Sequence, residues 1–177
     1  RTCVWQQGCT IGCLSCWNPN TWAAQGGELW DPKVLARQVV EEAVEGTRGL
    51  SLSGGEPWQQ AEAVLEFVQE VRRLRPTWDV FAWTGYTVEA LRTKGPAANA
   101  LLNVVDLVVD GPYVAHKAIE DLYWRGSSNQ RLVPMTPQGV VMAAEGVQRE
   151  FEVVVKQDGR IIMTGFPADD LLFALAG

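Results

Sequence analysis

The chain is poor in histidine, with His116 the only one among 177 residues, and it has no run of basic side chains, no repeat at a solenoid period and no low-complexity segment. No apolar stretch approaches the roughly 20 residues that span a bilayer, and no charged start leading into an apolar run resembles a signal peptide. Each absence removes a class of function. A net charge of −6 spread over mixed signs, with no basic tract, argues against nucleic acid or an anionic membrane as the main partner. A soluble, cytoplasmic protein is expected, in a compartment where thiols stay reduced. The chain opens at Arg1 rather than Met, directly into a strand-like run, so a natural start further upstream is also expected.

What the chain does have is cysteine in one place. All four cysteines lie within the first sixteen residues, and in a reducing compartment they read as metal ligands before disulfides. Cys9, Cys13 and Cys16 are spaced C-x3-C-x2-C, with no partner cluster downstream. A structural zinc or an ordinary electron-carrier cluster takes four protein ligands, so three thiolates describe a centre with one coordination position open. Thiolates suit iron-sulfur clusters, zinc or copper. His116 lies too far along the chain to complete the set by local spacing. Cys3 is the other candidate, but it sits on a strand that would have to bend to bring it in. An open-site cluster is the favoured reading; zinc or a purely structural set of thiols are its alternatives.

Length and a 47% hydrophobic content fit one globular domain over residues 1–177 that buries a real core, with packing expected to account for most of the eight tryptophans. Thr2 to Gln7 alternates as a strand. Asp31 can cap a helix starting at Pro32, and Val34, Leu35, Val39, Val40, Ala43 and Val44 then recur at helical spacing. Gly49 to Ser53 reads as a strand, Ala61 to Leu74 as an amphipathic helix stopped by Pro76, and Asp79 to Trp83 as a further strand. Val88 to Leu91 begins a short helix ended by Gly95-Pro96, and Asn99 to Leu102 adds a helical turn or two. Val104 to Val109 is an apolar run typical of a parallel strand buried on both faces. Strands alternating with helices predict an α/β fold with a parallel sheet, whose ligand sites lie at the carboxyl ends of the strands. Four stretches fall on that rim: the cysteine loop, Gly54-Gly55-Glu56, Thr84-Gly85-Tyr86 and Asp110-Gly111. Beyond them, Trp124 to Arg131 reads as a polar loop, and Phe151 to Val155 with Arg160 to Met163 as a hairpin turning through Asp158-Gly159.

Each rim stretch also has a plain structural reading. In Ser53-Gly54-Gly55-Glu56-Pro57 two glycines turn the chain and Pro57 starts a helix with Glu56 at its favourable N-terminus; glycines there also admit close approach of a ligand to the backbone. Thr84 can mark a strand end with Thr87 capping the next helix. Asp110 closes a buried apolar strand and must have a partner, whether a turn, a helix cap or a cation. The polar atoms of Trp124 to Gln130 suit a ribose or carboxylate, or an ordinary loop.

The C-x3-C-x2-C loop after the first strand resembles that of the radical S-adenosylmethionine superfamily. That resemblance implies a partial parallel β/α barrel, with the core over 1–131 and a C-terminal hairpin and tail over 132–177. It implies a 4Fe-4S cluster held by Cys9, Cys13 and Cys16, its open iron chelated by the amino and carboxylate groups of S-adenosylmethionine. A common form of the loop has an aromatic residue before the last cysteine; here Ser15 stands there and Trp17 follows. Ser15-Cys16-Trp17-Asn18, Asn18-Pro19-Asn20-Thr21-Trp22, Trp83-Thr84-Gly85-Tyr86, Val109-Asp110-Gly111 and Trp124-Arg125-Gly126-Ser127-Ser128-Asn129-Gln130 are similar to segments of the activating proteins of anaerobic ribonucleotide reductase, related to the pyruvate formate-lyase activating enzymes. The cofactor-binding residues so implied are Trp17, Asn18, Ser53, Gly54, Gly55, Glu56, Thr84, Asp110, Ser127 and Asn129. The implied activity is one-electron cleavage of S-adenosylmethionine to a 5′-deoxyadenosyl radical. The implied partners are a glycyl radical enzyme as protein substrate and a flavodoxin- or ferredoxin-type electron donor. A radical enzyme acting on a peptide or small molecule, and a non-enzymatic iron-sulfur or zinc module using Cys3, are the rival readings.

Overall fold

The fold rests on a five-stranded sheet in which four strands lie in chain order and parallel. They are β1 (Thr2–Gln6), β2 (Gly49–Gly54), β3 (Asp79–Trp83) and β4 (Leu107–Asp110). The computed structural model describes residues 1–119, 122–145, 151–155 and 161–165. A fifth strand, β5 (Arg131–Pro134), pairs antiparallel with β4, setting Arg131 opposite Asp110. The α/β reading with a mostly parallel sheet is borne out. The antiparallel edge strand was not anticipated: Arg131, read as the end of a polar loop, begins it.

Local sequence explains the helices that cross between strands. The Asp31 carboxylate accepts from the backbone of Lys33 and Val34 at 3.0 and 2.9 Å, and Pro32 opens α1 (Pro32–Glu41). In α2 (Ala61–Leu74) the residues Val64, Phe67, Val68 and Val71 recur at helical spacing and are buried. Thr87 caps α3 (Val88–Arg92) through Ala90 N–H at 3.2 Å. Gly95-Pro96 ends α3 and also begins α4 (Pro96–Val104), because proline is well suited to a first helical position. The apolar run from Val104 to Val109 is therefore split. Val104 finishes α4 and Leu107 starts β4, a boundary that a string of apolar residues interrupted only by Asp106 hides. A helix not read from the sequence, α5 (Pro137–Glu145), follows β5.

The sheet buries both faces along its middle. Leu50, Leu52, Val80, Ala82 and Val108 pack with Val64, Phe67, Val68 and Val71 of α2 and with Leu101 and Leu102 of α4. Alternate residues Phe81, Leu107 and Val109 face the other way, against Met142 of α5 and the partly buried Trp83, Trp124 and Leu132. Fully burying each such aliphatic or aromatic side chain contributes about 1.5–3 kcal/mol. The tryptophans depart from expectation. Trp58 and Trp78 are core residues, whereas Trp5, Trp17, Trp22 and Trp30 are exposed.

The chain forms two compact units, Arg1–Ala144 and Glu145–Gly177. In the second, β6 (Phe151–Val155) and β7 (Ile161–Gly165) form an antiparallel pair, with Phe151 opposite Gly165. The second strand extends past the expected Met163, and the expected turn at Asp158-Gly159 lies outside the described residues. Among the described residues no helix is long and apolar enough to cross a membrane.

One polar group ties the crossover into β4 together. Asp106 is buried and accepts from Arg72 Nη2 at 2.7 Å, Val80 N at 2.8 Å and Thr136 Oγ1 at 2.6 Å. Removing its carboxylate takes an acceptor from the buried Val80 N–H and the only carboxylate from the half-buried Arg72 guanidinium, which is left with the carbonyls of Val104 and Trp78. Asp106→Ala is expected to lower unfolding free energy by roughly 2–3 kcal/mol in chemical denaturation, and a change within 0.5 kcal/mol would contradict that role.

Candidate metal centre and cofactor rim

The three-cysteine loop leaves β1 at Gly8 and closes on itself. Gly8 N donates to Thr21 O at 2.8 Å and Cys9 N to Trp22 O at 3.0 Å, so residues 8–22 form a loop pinned at its base. The Gln7 side chain strengthens the pin, donating through Nε2 to Asn20 O at 3.2 Å and Ala23 O at 2.6 Å. Within the loop, Cys16 N donates to Cys13 O at 3.1 Å, making a tight turn in which Ser15 adopts a left-handed conformation, φ 59°. A small residue such as serine meets that turn with less crowding than a bulky one.

All four cysteines are free thiols, and Cys9, Cys13 and Cys16 are each half-buried. Burial pushes the Cys13 thiol above its ordinary range, the backbone of Tyr113 opposes that, and Cys16 and Cys9 add repulsion. A group of thiolates with such mutual repulsion needs positive charge among them, which metal ions supply. Asn18 N donates to Cys16 Sγ at 3.4 Å. With the Tyr113 backbone, that places amide donors on two of the three sulfurs, the kind of contact that tunes an iron-sulfur centre. Among the described residues no three Cys, His, Asp or Glu side chains converge as they would on a single ion. A four-iron cluster takes one thiolate at each of three separate corners, so it fits a spread triplet of soft donors. Cys3 stands apart on edge strand β1. The residue is exposed as a whole, yet its thiol is hemmed in and pushed up to about 11 by lost hydration, with the charge of Arg1 opposing. That shift disfavours its thiolate form.

The rim closes around this loop because there is no room for side chains between its parts. A Cβ on Gly55 would lie 2.3 Å from Gly8 O, one on Gly54 (φ 89°) 2.6 Å from Gln6 O, and one on Gly85 2.5 Å from the Ile11 side chain. Backbone bonds replace the missing side chains: Gly55 N donates to Gln6 O at 2.7 Å and Glu56 N to Gly8 O at 2.9 Å. The glycines thus admit the cysteine loop itself. Ser53 stands beside them as the penultimate residue of β2, opposite Trp5 of β1.

Glu56 locks the second and third rim stretches together. The residue is 1% exposed, and its carboxylate accepts from Trp58 N at 3.0 Å, Thr84 Oγ1 at 2.8 Å and Gly85 N at 2.8 Å. Burial pushes its pKa up, against the pull of those donors and of Lys94. Its side chain therefore serves as a helix cap and a tie, and Thr84 turns inward to meet it. Thr84 N also donates to Val109 O at 2.9 Å, and Gly111 N to Tyr86 O at 2.9 Å, carrying the rim on to β4.

Asp110 is fully buried and its partner is Arg131. Nε of Arg131 donates to Oδ1 at 2.9 Å, Nη2 donates to Oδ2, and Oδ2 also accepts from Val88 N at 2.8 Å. Both oxygens are thus occupied by the fold, which raises the Arg131 guanidinium above its ordinary range. In the Trp124-to-Gln130 loop, Ser127 is buried and its Oγ accepts from Val114 N at 3.2 Å, while Asn129 Nδ2 donates to Pro112 O at 2.8 Å. These side chains hold the loop against residues 111–118. Asn129 Oδ1 has no hydrogen-bond partner. Trp17 is 55% exposed and meets the Tyr113 ring edge-on at 6.3 Å. The structure thus brings the four rim stretches together, while Ser127 and Asn129 sit one layer out. Sequence reasoning missed Gln7, Gln59, Gln60, Tyr113 and Arg131, since isolated side chains on loops carry no periodic or motif signal.

The family described as a 4Fe-4S single cluster domain matches residues 1–133. The chain is 36% identical over 136 residues to the anaerobic ribonucleoside-triphosphate reductase-activating protein of Haemophilus influenzae, an alignment covering 73% of this chain and 84% of that one. It is 37% identical over 134 residues to the protein of the same name from Vibrio cholerae, covering 73% and 84%. With that of Escherichia coli K12 it shares 33% identity over 136 residues, covering 73% and 85%.

Replacing Glu56 by glutamine keeps one acceptor but sets an NH2 group against a donor. Glu56→Gln is expected to cost about 1–3 kcal/mol near pH 7 in chemical denaturation. Because the buried carboxyl binds its proton more tightly folded than unfolded, its stabilising share is complete below the ordinary glutamate value. That share declines as pH rises through the raised one. The stability gap between wild type and Glu56→Gln should therefore narrow from about pH 4.5 upward. A gap that widens with pH would contradict the raised value.

Proposed function

The chain belongs to the family of anaerobic ribonucleoside-triphosphate reductase-activating proteins, and from that premise we propose that it is a radical S-adenosylmethionine activase that installs a glycyl radical on an anaerobic ribonucleotide reductase. The observation that carries this reading is the three-thiol loop seated directly against Gly54-Gly55-Glu56 at the carboxyl rim of a mostly parallel sheet.

Cys9, Cys13 and Cys16 would hold the 4Fe-4S cluster, and the vacancy in their set is the place for the amino and carboxylate groups of S-adenosylmethionine. Bound together, the cluster and S-adenosylmethionine would supply one-electron cleavage to a 5′-deoxyadenosyl radical able to take hydrogen from a glycine Cα. The chain's own part is placement. Asn18 N–H and the Tyr113 backbone steady Cys16 and Cys13, and the half-burial of the thiols limits water at the centre. The backbone of Ser53, Gly54 and Gly55 lies beside the loop, where its carbonyls would accept from an ammonium group. The Glu56 carboxylate fixes Thr84 and Gly85, and Asp110 with Arg131 fixes the Gly111 turn that leads to Tyr113. Trp17, Asn18, Ser127 and Asn129 belong to the surrounding wall.

The five-stranded sheet serves in this reading as a short, incomplete barrel, open enough for a protein loop to reach the radical. Its electron donor is a flavodoxin- or ferredoxin-type protein in the cytoplasm, and neither nucleic acid nor membrane takes part.

The test is oxygen-free reconstitution with iron and sulfide, followed by reduction with S-adenosylmethionine and assay for 5′-deoxyadenosine. Wild type and Cys3→Ala are expected to take up the cluster and cleave, while serine at Cys9, Cys13 or Cys16 is expected to lower cleavage at least 100-fold. A glycyl radical signal should appear on adding the reductase. Loss of the cluster in Cys3→Ala would overturn the three-ligand reading. Cleavage without a glycyl radical on the reductase would point to a different substrate.

A further inference from the structure

The 3₁₀ turn Pro57–Gln60, immediately after Glu56, carries two glutamines whose side chains reach back to the cysteine loop. Gln59 Oε1 accepts from Thr10 N at 3.1 Å, and its Nε2 donates to Thr10 Oγ1 at 2.7 Å and to Tyr86 Oη at 3.0 Å. Gln60 Nε2 donates to Gln7 O at 2.7 Å. Thr10 directly follows Cys9, and Gln7 lies two residues before it, so the two amides grip the chain on either side of this one cysteine. Gln7 in turn reaches across the base of the loop to Asn20 and Ala23. Tyr86 lies two residues from Thr84 and receives Lys94 over its ring at 3.9 Å. The grip on Cys9 is therefore continuous with the Glu56–Thr84–Gly85 lock.

From this geometry we propose that Gln59 and Gln60 are positioning residues that fix the Cys9 end of the cluster loop relative to the Gly54-Gly55-Glu56 rim. The proposal rests on the reading of Cys9 as a cluster ligand. Each amide acts through the chain that carries Cys9, by its bonds to Thr10 and Gln7. Gln59 is the more informative of the two, because one planar amide satisfies both the donor and the hydroxyl of Thr10. Glutamate can reproduce that fit: its carboxylate accepts from Thr10 N–H, and the hydroxyls of Thr10 and Tyr86 can rotate to donate to it.

Two readouts test the proposal, one without the cluster and one with it. In the cluster-free protein, amide hydrogen exchange at Thr10 is expected to accelerate about tenfold in Gln59→Ala, the scale set by one lost hydrogen bond, and to return close to wild type in Gln59→Glu. In the reconstituted protein, Gln59→Ala is expected to keep its iron content but release iron to a chelator about tenfold faster. Its reduced-state electron paramagnetic resonance spectrum should also shift. Gln59→Glu should restore the release rate while lowering the midpoint potential, because it adds negative charge near the cluster. Exchange, release and spectrum all unchanged in Gln59→Ala would overturn the proposal. If Gln59→Ala fails to fold, the same measurements on Gln60→Ala and Tyr86→Phe decide: faster Thr10 exchange or iron release supports the grip, and wild-type values refute it. A wild-type protein that takes up no cluster would instead sink the reading beneath the proposal, whatever the exchange data show.

Discussion

The site depends on one steric constraint: no Cβ fits between the end of β2 and the start of the cysteine loop. Gly55 lies against Gly8 O, Gly54 against Gln6 O, and the amides of Gly55 and Glu56 donate to those same carbonyls. This contact converts three thiols on a surface loop into thiols held at the carboxyl rim of the sheet. Everything downstream extends it. Glu56, placed by its N–H to Gly8, turns its carboxylate inward to Thr84 and Gly85, and the Pro57 turn that follows delivers Gln59 and Gln60 to either side of Cys9.

Electrostatics give the arrangement its chemical direction. Burial and neighbouring sulfurs oppose ionisation at Cys13, and Glu56 is a buried carboxyl that the protein satisfies with three hydrogen bonds and the charge of Lys94. By contrast, the acid at the end of β4 is matched within the fold, since Asp110 has a bidentate guanidinium partner in Arg131.

Much of this was legible in the sequence because it depended on local chemistry. The cap at Asp31, the spacing of Val64, Val68 and Val71, the proline at position 96 and the three cysteines all act within a turn or two. The four rim stretches could be placed because each follows a strand. What stayed hidden was relational. Strand β5 begins at Arg131 because its guanidinium reaches Asp110, 21 residues earlier, and no periodicity announces such a pair. The run from Val104 to Val109 concealed a helix-to-strand boundary because every residue in it but Asp106 is apolar. The exposed tryptophans between Trp5 and Trp30 escaped the general rule that large aromatics pack inside. Gln59 looked like any polar residue of a turn until its three partners were seen.

The central claim is that three cysteines of this chain leave one iron of a cluster open for S-adenosylmethionine. The most direct test is electron-nuclear double resonance on the reduced, reconstituted protein, with S-adenosylmethionine carrying 15N in its amino group or 17O in its carboxylate. The account predicts hyperfine coupling from both labels to the cluster, in wild type and in Cys3→Ala alike. Bound S-adenosylmethionine that shows coupling from neither label would contradict it.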